Sequence, residues 1–142
     1  MLVDANLLLY AVDADSGWNH AAASWWEATL NGERRVGIPW QTIGAFLRIS
    51  THPRVAAHPL SPAAAAAYVE AWLQAPSVWV PPATERTASI LIDLMRATGA
   101  TANLIPDAQL AALALEHGLV VHSMDTDFAR FRDVRWVNPL QH

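Results

Sequence analysis

The sequence predicts an α/β fold in which a parallel sheet of four to five short strands carries helices on both faces. Short apolar runs alternate along the chain with longer segments of helical periodicity, and one or two helices separate consecutive strands. Such crossover connections place successive strands parallel to one another in one sheet. The length of 142 residues suits one domain that spans 1–142.

The composition indicates a packed protein. Hydrophobic residues make up 53% of the chain and charged residues 15%, which is the opposite of a disordered composition. There is no cysteine, so any metal must be bound by oxygen or imidazole ligands. The N-terminal sequence has neither a basic leader nor a long apolar run, so we expect a cytoplasmic protein without a membrane span.

The charge balance bears on nucleic-acid binding. A net charge of −4 differs from the basic character of most nucleic-acid-binding proteins, but four aspartates bound to divalent cations would leave the other charges balanced. All nine basic residues are arginine, which binds phosphate through a planar fork. Genome composition alone is an alternative explanation for this bias.

The first half of the chain predicts two strands and three helices. A strand at Leu2 and Val3 leads to Asp4, and Asn6 is the expected N-cap of the first helix. The predicted elements that follow are helix Leu7–Val12, a helix from Asn19 or His20 to Leu30, strand Val36–Ile38 and helix Gln41–Ser50.

The second half predicts three strands and three helices. Ser61 with Pro62 and, later, Thr84 are helix-start signals, whereas Gly99 and Gly118 are helix-end signals. The predicted elements are a helix from Pro62 to Leu73, strand Val78–Val80, a helix capped by Thr84 that runs to about Thr98, helix 106–117, strand 119–122 and a short strand at 135–137.

Four aspartates are candidates for a metal site. Asp4, Asp125 and Asp127 follow predicted strands, and the carboxyl ends of parallel strands face the ligand crevice of an α/β sheet. Asp107 lies in the first turn of its helix. Carboxylates held this closely repel one another unless a cation offsets their charge. The pattern therefore predicts Mg²⁺ or Mn²⁺, which accept carboxylate oxygens together with phosphate oxygens and water.

Each acid also has a purely structural interpretation. Asp4 would serve as a helix cap, Asp107 is favoured by the helix dipole, and Asp125 or Asp127 would cap the turn that carries Phe128. The six histidines lack the spacing of a zinc site on one helix, and there is no Gly-rich phosphate loop. The four aspartates together are thus the main chemical signal.

The chain resembles PIN-domain proteins of the VapC toxin type. The resemblance rests on four segments that span nearly the whole chain: LVDANLLLYA, IPWQTIGAFLRISTHPRV, ATANLIPDAQLAALALEHG and VHSMDTDFARFRDVRWVNPL. It implies a PIN-like, Rossmann-like sheet, a magnesium- or manganese-dependent endoribonuclease, a homodimer and a VapB-type antitoxin.

The resemblance also implies roles for individual residues. Asp4, Asp107 and Asp125 match the catalytic metal-binding acids, Asp127 matches an additional metal-binding acid, and Asn103 and Ser123 match supporting polar positions. Where the family commonly has glutamate, this chain has Ala45. Gln41 lies one helical turn earlier, so its amide oxygen is expected near the same place.

Two further hypotheses stand beside a ribonuclease that cleaves transfer or ribosomal RNA. In the first, Ala45 weakens catalysis and the PIN-like domain binds RNA or antitoxin without efficient cleavage. In the second, the acids belong to a phospho-accepting receiver domain, which resembles this pattern but uses a lysine that this chain lacks. Among the arginines, Arg130 and Arg132 lie nearest in sequence to the turn that begins with Asp125 and Asp127, which we call the acidic turn, and they are the expected RNA contacts.

Overall fold

The computed structural model describes residues 1–141 and confirms the parallel α/β architecture. Its strands are β1 (Leu2–Val3), β2 (Val36–Gly37), β3 (Val78–Trp79), β4 (Val121–His122) and β5 (Trp136–Val137). They form one sheet in the order β3-β2-β1-β4-β5, and all four pairings are parallel. The first strand of the chain is therefore the central strand of the sheet.

Helices cover both faces of this sheet. They are α1 (Ala5–Val12), α2 (Asn19–Leu30), α3 (Trp40–Ser50), α4 (Pro62–Gln74), α5 (Glu85–Thr98) and α6 (Ile105–His117), with 3₁₀ turns at Ala102–Leu104 and Thr126–Arg130. The first four contribute to the core on one face, and α5 and α6 contribute to the core on the other. None of the helices within residues 1–141 has the length and apolar character needed to cross a membrane.

The central strand supplies both cores. Leu2 packs with residues of α6, whereas Val3 packs with residues of α1 to α4, and both side chains are fully buried. Successive side chains of a strand point to opposite faces, so two residues suffice to anchor both layers of helices. The sheet edge beyond Val3 is thereby fixed relative to all six helices.

The starts of α4 and α5 and the ends of α5 and α6 follow the signals predicted from the sequence. Ser61 Oγ accepts a hydrogen bond from the amide of Ala64 at 3.1 Å, and Thr84 Oγ1 accepts one from the amide of Arg86 at 3.1 Å. Gly99 and Gly118 adopt left-handed φ angles of 69° and 66°, which favour glycine at a helix end.

The prediction that Asn6 caps the first helix is wrong. Helix α1 begins at Ala5, and Asp4 is its N-cap, with Asp4 Oδ1 accepting a hydrogen bond from the amide of Ala5 at 2.7 Å. The chain enters the helix directly after β1, so Asn6 lies inside the first turn. Its side chain is therefore available for contacts outside the helix.

Four predicted strands are longer than the observed ones by one or two residues. Pro39 and Pro81 follow β2 and β3 closely and have no N–H to continue a ladder. Leu119 donates its amide hydrogen to Ala114 O at 2.8 Å, so it completes the end of α6 instead of extending β4. At Gly37 in β2, an added Cβ would lie 2.8 Å from Pro81 Cγ, which favours glycine at this close approach.

Candidate metal centre

The sheet topology brings Asp4 next to the start of the acidic turn. Asp4 directly follows β1, which pairs with β4 so that Val3 is in register with His122. The amide of Asp4 donates a hydrogen bond to His122 O at 3.0 Å, which continues the ladder past the last strand residues. Residues that are 119 positions apart, such as Asp4 and Ser123, consequently meet at the carboxyl edge of the sheet.

Three of the four predicted acids form a compact group. One carboxylate oxygen from each of Asp107, Asp125 and Asp127 lies within 4.8 Å of those of the other two. The group consists only of carboxylate oxygens and includes neither sulfur nor imidazole, so its donor chemistry fits a hard divalent cation such as Mg²⁺ or Mn²⁺. Asp4 lies outside this group.

The protonation of Asp107 reflects the crowding of negative charge. Partial burial, which is the largest cause, and the charges of Asp125, Asp4 and Asp127 together raise the pKa of Asp107 from 3.8 to about 7. Such a shift measures a penalty on the ionised form. A bound cation would offset that penalty, so the electrostatics of the group also fit a metal site.

We expect the stability of the metal-free protein to depend on the protonation of the Asp107 carboxyl group. Asp107 has a pKa of about 7 in the folded state and an ordinary pKa of 3.8 in the unfolded chain. The folded state therefore binds more protons than the unfolded chain between these two pH values. The stabilisation from Asp107 is therefore complete below the lower value and is lost as the pH rises through about 7.

Thermal unfolding in metal-free buffer tests this pH dependence. The Asp107→Asn variant does not titrate at this position, so the difference in Tm between wild type and variant isolates the contribution of Asp107. The Tm of the wild type should fall relative to that of the variant as the pH rises from about 5 to about 8. A Tm difference that stays constant over this range would contradict the assignment.

Asp4 is held in place by a second set of contacts. Ser123 Oγ donates a hydrogen bond to Asp4 Oδ2 at 2.6 Å, while Asp4 Oδ1 accepts from the amide of Ala5. Burial raises the pKa of Asp4, these two hydrogen bonds act in the opposite direction, and the charge of Asp125 raises it again. Asp4 thus combines its role as a helix cap with a position beside the three clustered acids.

Asn6 and the amide of Asp125 orient the Ser123 hydroxyl. Its oxygen accepts hydrogen bonds from Asn6 Nδ2 at 3.0 Å and from the amide of Asp125 at 2.9 Å. A hydroxyl oxygen has two lone pairs, so both are used and the hydroxyl hydrogen is left to point at Asp4. Asn6 Oδ1 also accepts from the amide of Met124 at 3.4 Å. Asn6 is a site residue that the sequence prediction missed.

Replacing Ser123 with alanine should destabilise the protein by about 1 to 3 kcal/mol, because Asp4 loses a buried donor and Asn6 loses an acceptor. We also expect a loss of cleavage rate of roughly tenfold to a hundredfold if Asp4 serves the metal site. Urea unfolding and RNA cleavage measure the two effects. Ser24→Ala, at an exposed position on α2, is the control. Equal effects of the two substitutions would contradict the assigned contacts.

The acidic turn arranges Asp125 and Asp127 relative to each other. Asp125 is the N-cap of the 3₁₀ turn, and its Oδ1 accepts a hydrogen bond from the amide of Asp127 at 2.8 Å. Phe128 of the same turn is fully buried and packs 6.3 Å from Phe131, measured between ring centroids. The buried Phe128 holds the turn against the core. Asp125 therefore both caps this turn and belongs to the group of three acids.

The remaining predicted residues differ in exposure, and one of them, Arg130, contacts an acid of this group. Arg130 Nε lies 3.5 Å from Asp127 Oδ1 in an exposed ion pair, and Arg132 is exposed. Asn103 is exposed in the 3₁₀ turn before α6. Gln41 and Ala45 are partly buried on α3, whose neighbouring residue Thr42 donates a hydrogen bond from Oγ1 to Val3 O at 2.7 Å. That buried contact ties α3 to the end of β1.

The chain matches the PIN domain family over residues 1–134. It is 43% identical to "Ribonuclease VapC33" of Mycobacterium tuberculosis over 141 residues, which cover 99% of each chain. Among solved structures, it is similar to VapC20 of M. tuberculosis, described as a "Sarcin-Ricin loop cleaving toxin". The TM-score is 0.68 and the identity 17%, over 94% of this chain and 98% of the other.

A toxin–antitoxin complex from Klebsiella pneumoniae contains a chain with the same fold. The TM-score is 0.62 and the identity 18%, and the match covers 97% of this chain and 96% of the other. At such low identity, the two structural similarities establish the fold. The family model and the 43% identity to a ribonuclease over almost the full length establish the family.

Proposed function

The chain belongs to the PIN-domain family, among the VapC ribonucleases, and we propose that it is a divalent-metal-dependent endoribonuclease toxin. Its substrate class is RNA, with transfer or ribosomal RNA as the candidates. The observation that carries the proposal is the group of three carboxylate oxygens, from Asp107, Asp125 and Asp127, within 4.8 Å of one another at the carboxyl edge of the sheet.

Asp107, Asp125 and Asp127 would hold the cation, Mg²⁺ or Mn²⁺, and Asp4 would complete the acidic surroundings. When bound, such an ion supplies Lewis-acid activation of a phosphodiester and of a water molecule. Asp4 is kept ready to accept hydrogen bonds by the Ser123 hydroxyl, which donates to it at 2.6 Å. The carboxylates together orient the attacking water and receive its proton, which is the catalytic role we assign to Asp4, Asp107 and Asp125.

Polar residues around the acids would position the RNA. Arg130, already paired with Asp127, is exposed and can rotate its guanidinium toward a phosphate near the centre. Arg132, Asn103 and Gln41 are proposed as further contacts from the neighbouring turn, the segment before α6 and the start of α3. The role of Arg132 is supported by its proximity in sequence to Asp127, that of Asn103 by the sequence resemblance, and that of Gln41 by its place at the start of α3, which follows the carboxyl end of β2.

RNA cleavage by the purified protein tests the proposed function. Structured cellular RNA should be cleaved in the presence of Mg²⁺ or Mn²⁺ but not with a chelator, and Asp4→Asn should reduce the rate strongly. Asp13→Asn, at an exposed position after α1, is a charge-matched control. Cleavage that persists in the chelator, or equally in Asp4→Asn, would refute the proposal.

Ala45 favours a second candidate function. The resemblance implies a glutamate at this position, and the alanine side chain has no atom that can bind a metal. The site therefore has one acid fewer than the resemblance implies. In this version the protein keeps its fold and its binding of RNA or antitoxin but cleaves poorly. Strong cleavage by the unmodified protein would refute this candidate.

We further propose a VapB-type antitoxin as partner, a homodimeric state and a cytoplasmic location. A toxin–antitoxin complex with the same fold supports the first. Exposed apolar side chains on α5, Ile92 and Met95, support a protein–protein interface. Light scattering on the purified protein tests the oligomeric state, and a monomer at micromolar concentration would contradict the homodimer.

A further inference from the structure

A second cluster of charge lies at the amino edge of the sheet, opposite the acids. Met1 precedes β1, Arg34 and Arg35 precede β2, and Arg135 precedes β5. The amino ends of parallel strands share one edge, so the topology gathers the terminal ammonium group and three guanidinium groups there. We call these four residues the amino-edge patch.

Contacts hold the amino-edge patch against the sheet. The Met1 ammonium group donates a hydrogen bond to Arg35 O at 3.2 Å, and Arg135 Nη2 donates one to Gly118 O at 3.1 Å. The Arg35 guanidinium lies over the ring of Trp79, with Cζ 4.3 Å from the centroid. Stacking occupies the face of the guanidinium and leaves N–H groups along its edge for an acceptor.

The cations of the amino-edge patch lack acidic partners. Within residues 1–141, no carboxylate lies within ion-pair distance of Arg34, Arg35 or Arg135, and all three are exposed. Partial burial lowers the pKa of the Met1 ammonium group, and the nearby charges of Arg34 and Arg135 lower it further. Unpaired positive charge is thus concentrated here although the chain has a net charge of −4.

A cavity opens beside this cluster. It has a volume of about 350 Å³, and its lining includes Met1, Arg34, Trp25 and His122, with Glu33 as an acid on the wall. The Trp25 and His122 rings stack, with centroids 6.1 Å apart, and form one side of the cavity. Two of the four patch residues, Met1 and Arg34, therefore lie at the wall of a concave surface.

We propose that the amino-edge patch binds the phosphate backbone of the RNA that is cleaved at the acidic centre. The proposal rests on the proposed ribonuclease function. Only two residues, Leu2 and Val3, separate Met1 from Asp4, so the Cα atoms of Met1 and Asp4 are at most about 11 Å apart and one RNA strand can reach both places. β5 is an edge strand of the sheet, and its residue Val137 has an exposed side chain. The carbonyl oxygen of Val137 accepts a hydrogen bond from the amide of Ser123 at 3.1 Å, beside the acidic centre. No further strand covers the route from Arg135 to the acids within residues 1–141.

RNA is favoured over an acidic protein segment by this continuity with the metal centre. Arginine forks bind phosphate oxygens in two places at once, and phosphate contacts need no base sequence. The patch would thus hold the body of a folded RNA while the acids act on one bond. Binding at the patch should not require a metal ion.

The test compares two double variants with the same charge change. Arg34→Gln with Arg135→Gln alters the patch, whereas Arg54→Gln with Arg96→Gln removes two exposed arginines elsewhere, and both take the net charge from −4 to −6. Binding of a fluorescent structured RNA is measured by anisotropy in a chelator, as a function of salt. Cleavage of the same RNA is then measured with Mn²⁺.

The patch variant should bind RNA about tenfold more weakly, and its slope of log K against log salt should be shallower by about 1.4, or two contacts at 0.7 each. The control variant should bind like the wild type. Equal binding by patch variant and wild type, or equal losses in the two variants, would overturn the proposal. Loss of polyglutamate binding with unchanged RNA binding would also overturn it, in favour of an acidic protein partner. Wild-type binding without any cleavage would refute the ribonuclease function alone.

Discussion

Asp107→Asn is expected to lower kcat/KM for RNA cleavage on the order of 10³-fold, while the metal-free protein becomes at least as stable as the wild type near pH 8. The two effects have one cause. Asp107 contributes an oxygen to the three-acid group, and its raised pKa shows that its charge is unfavourable in the absence of a cation. The neutral asparagine side chain removes both the carboxylate that would bind the metal and its repulsion with the neighbouring acids.

The opposite signs of these two effects separate a functional role from a structural one. A residue that served only the fold would lose stability and activity together. Asp93→Asn, on the exposed face of α5, is the matched control and should change neither quantity. Full activity in Asp107→Asn, or a metal-free protein clearly less stable than the wild type at this pH, would contradict the assignment of Asp107 as a metal ligand.

Ala45→Glu is expected to tighten metal binding roughly tenfold to a hundredfold and to raise the cleavage rate at low metal concentration. Position 45 is partly buried on α3, the helix that Thr42 ties to the end of β1. A carboxylate there would add a fifth acid to Asp4, Asp107, Asp125 and Asp127 at the carboxyl edge of the sheet. Without metal the same carboxylate should destabilise the protein, because it increases the repulsion that already affects Asp107.

Gly44→Glu provides the control for this gain. It introduces the same charge at the adjacent, exposed position, where an added Cβ meets no atom within 4 Å. Isothermal titration with Mn²⁺ and single-turnover cleavage should distinguish the two variants. If Ala45→Glu behaves like Gly44→Glu, position 45 does not face the metal centre. If the unmodified protein already binds metal as tightly as Ala45→Glu, Gln41 or water replaces the missing carboxylate.

Much of the fold follows from local signals in the sequence. Prolines and glycines mark the ends of the elements, and the helices after Ser61 and Thr84 start where their caps predict. The number of strands and their parallel arrangement follow from the crossovers between them. Three of the strands are shorter than predicted because Ile38 and Val80 directly precede prolines and Leu119 completes the end of α6.

The details of the site depend on contacts that span the whole chain. An asparagine directly before an apolar helical run is typical of a helix N-cap, and no local pattern distinguishes that role from the observed hydrogen bond between Asn6 and Ser123. Likewise, the aspartates share an edge, but whether Asp4 points at the other three depends on its capping contact with Ala5 and on Ser123. Side-chain direction of this kind is set by tertiary packing.

The central position of β1 determines when the site can form during synthesis of the protein. Its pairing with β4 joins residues 2 and 121, so this contact is among the most distant in the chain and raises the contact order. During synthesis, the segment that carries Asp4 leaves the ribosome first and has no β4 to pair with until the last fifth of the chain follows. A copy that ends before β4 therefore cannot bring Asp4 and Asp125 together, so the proposed metal centre forms only after β4 and the turn that follows it have been synthesised.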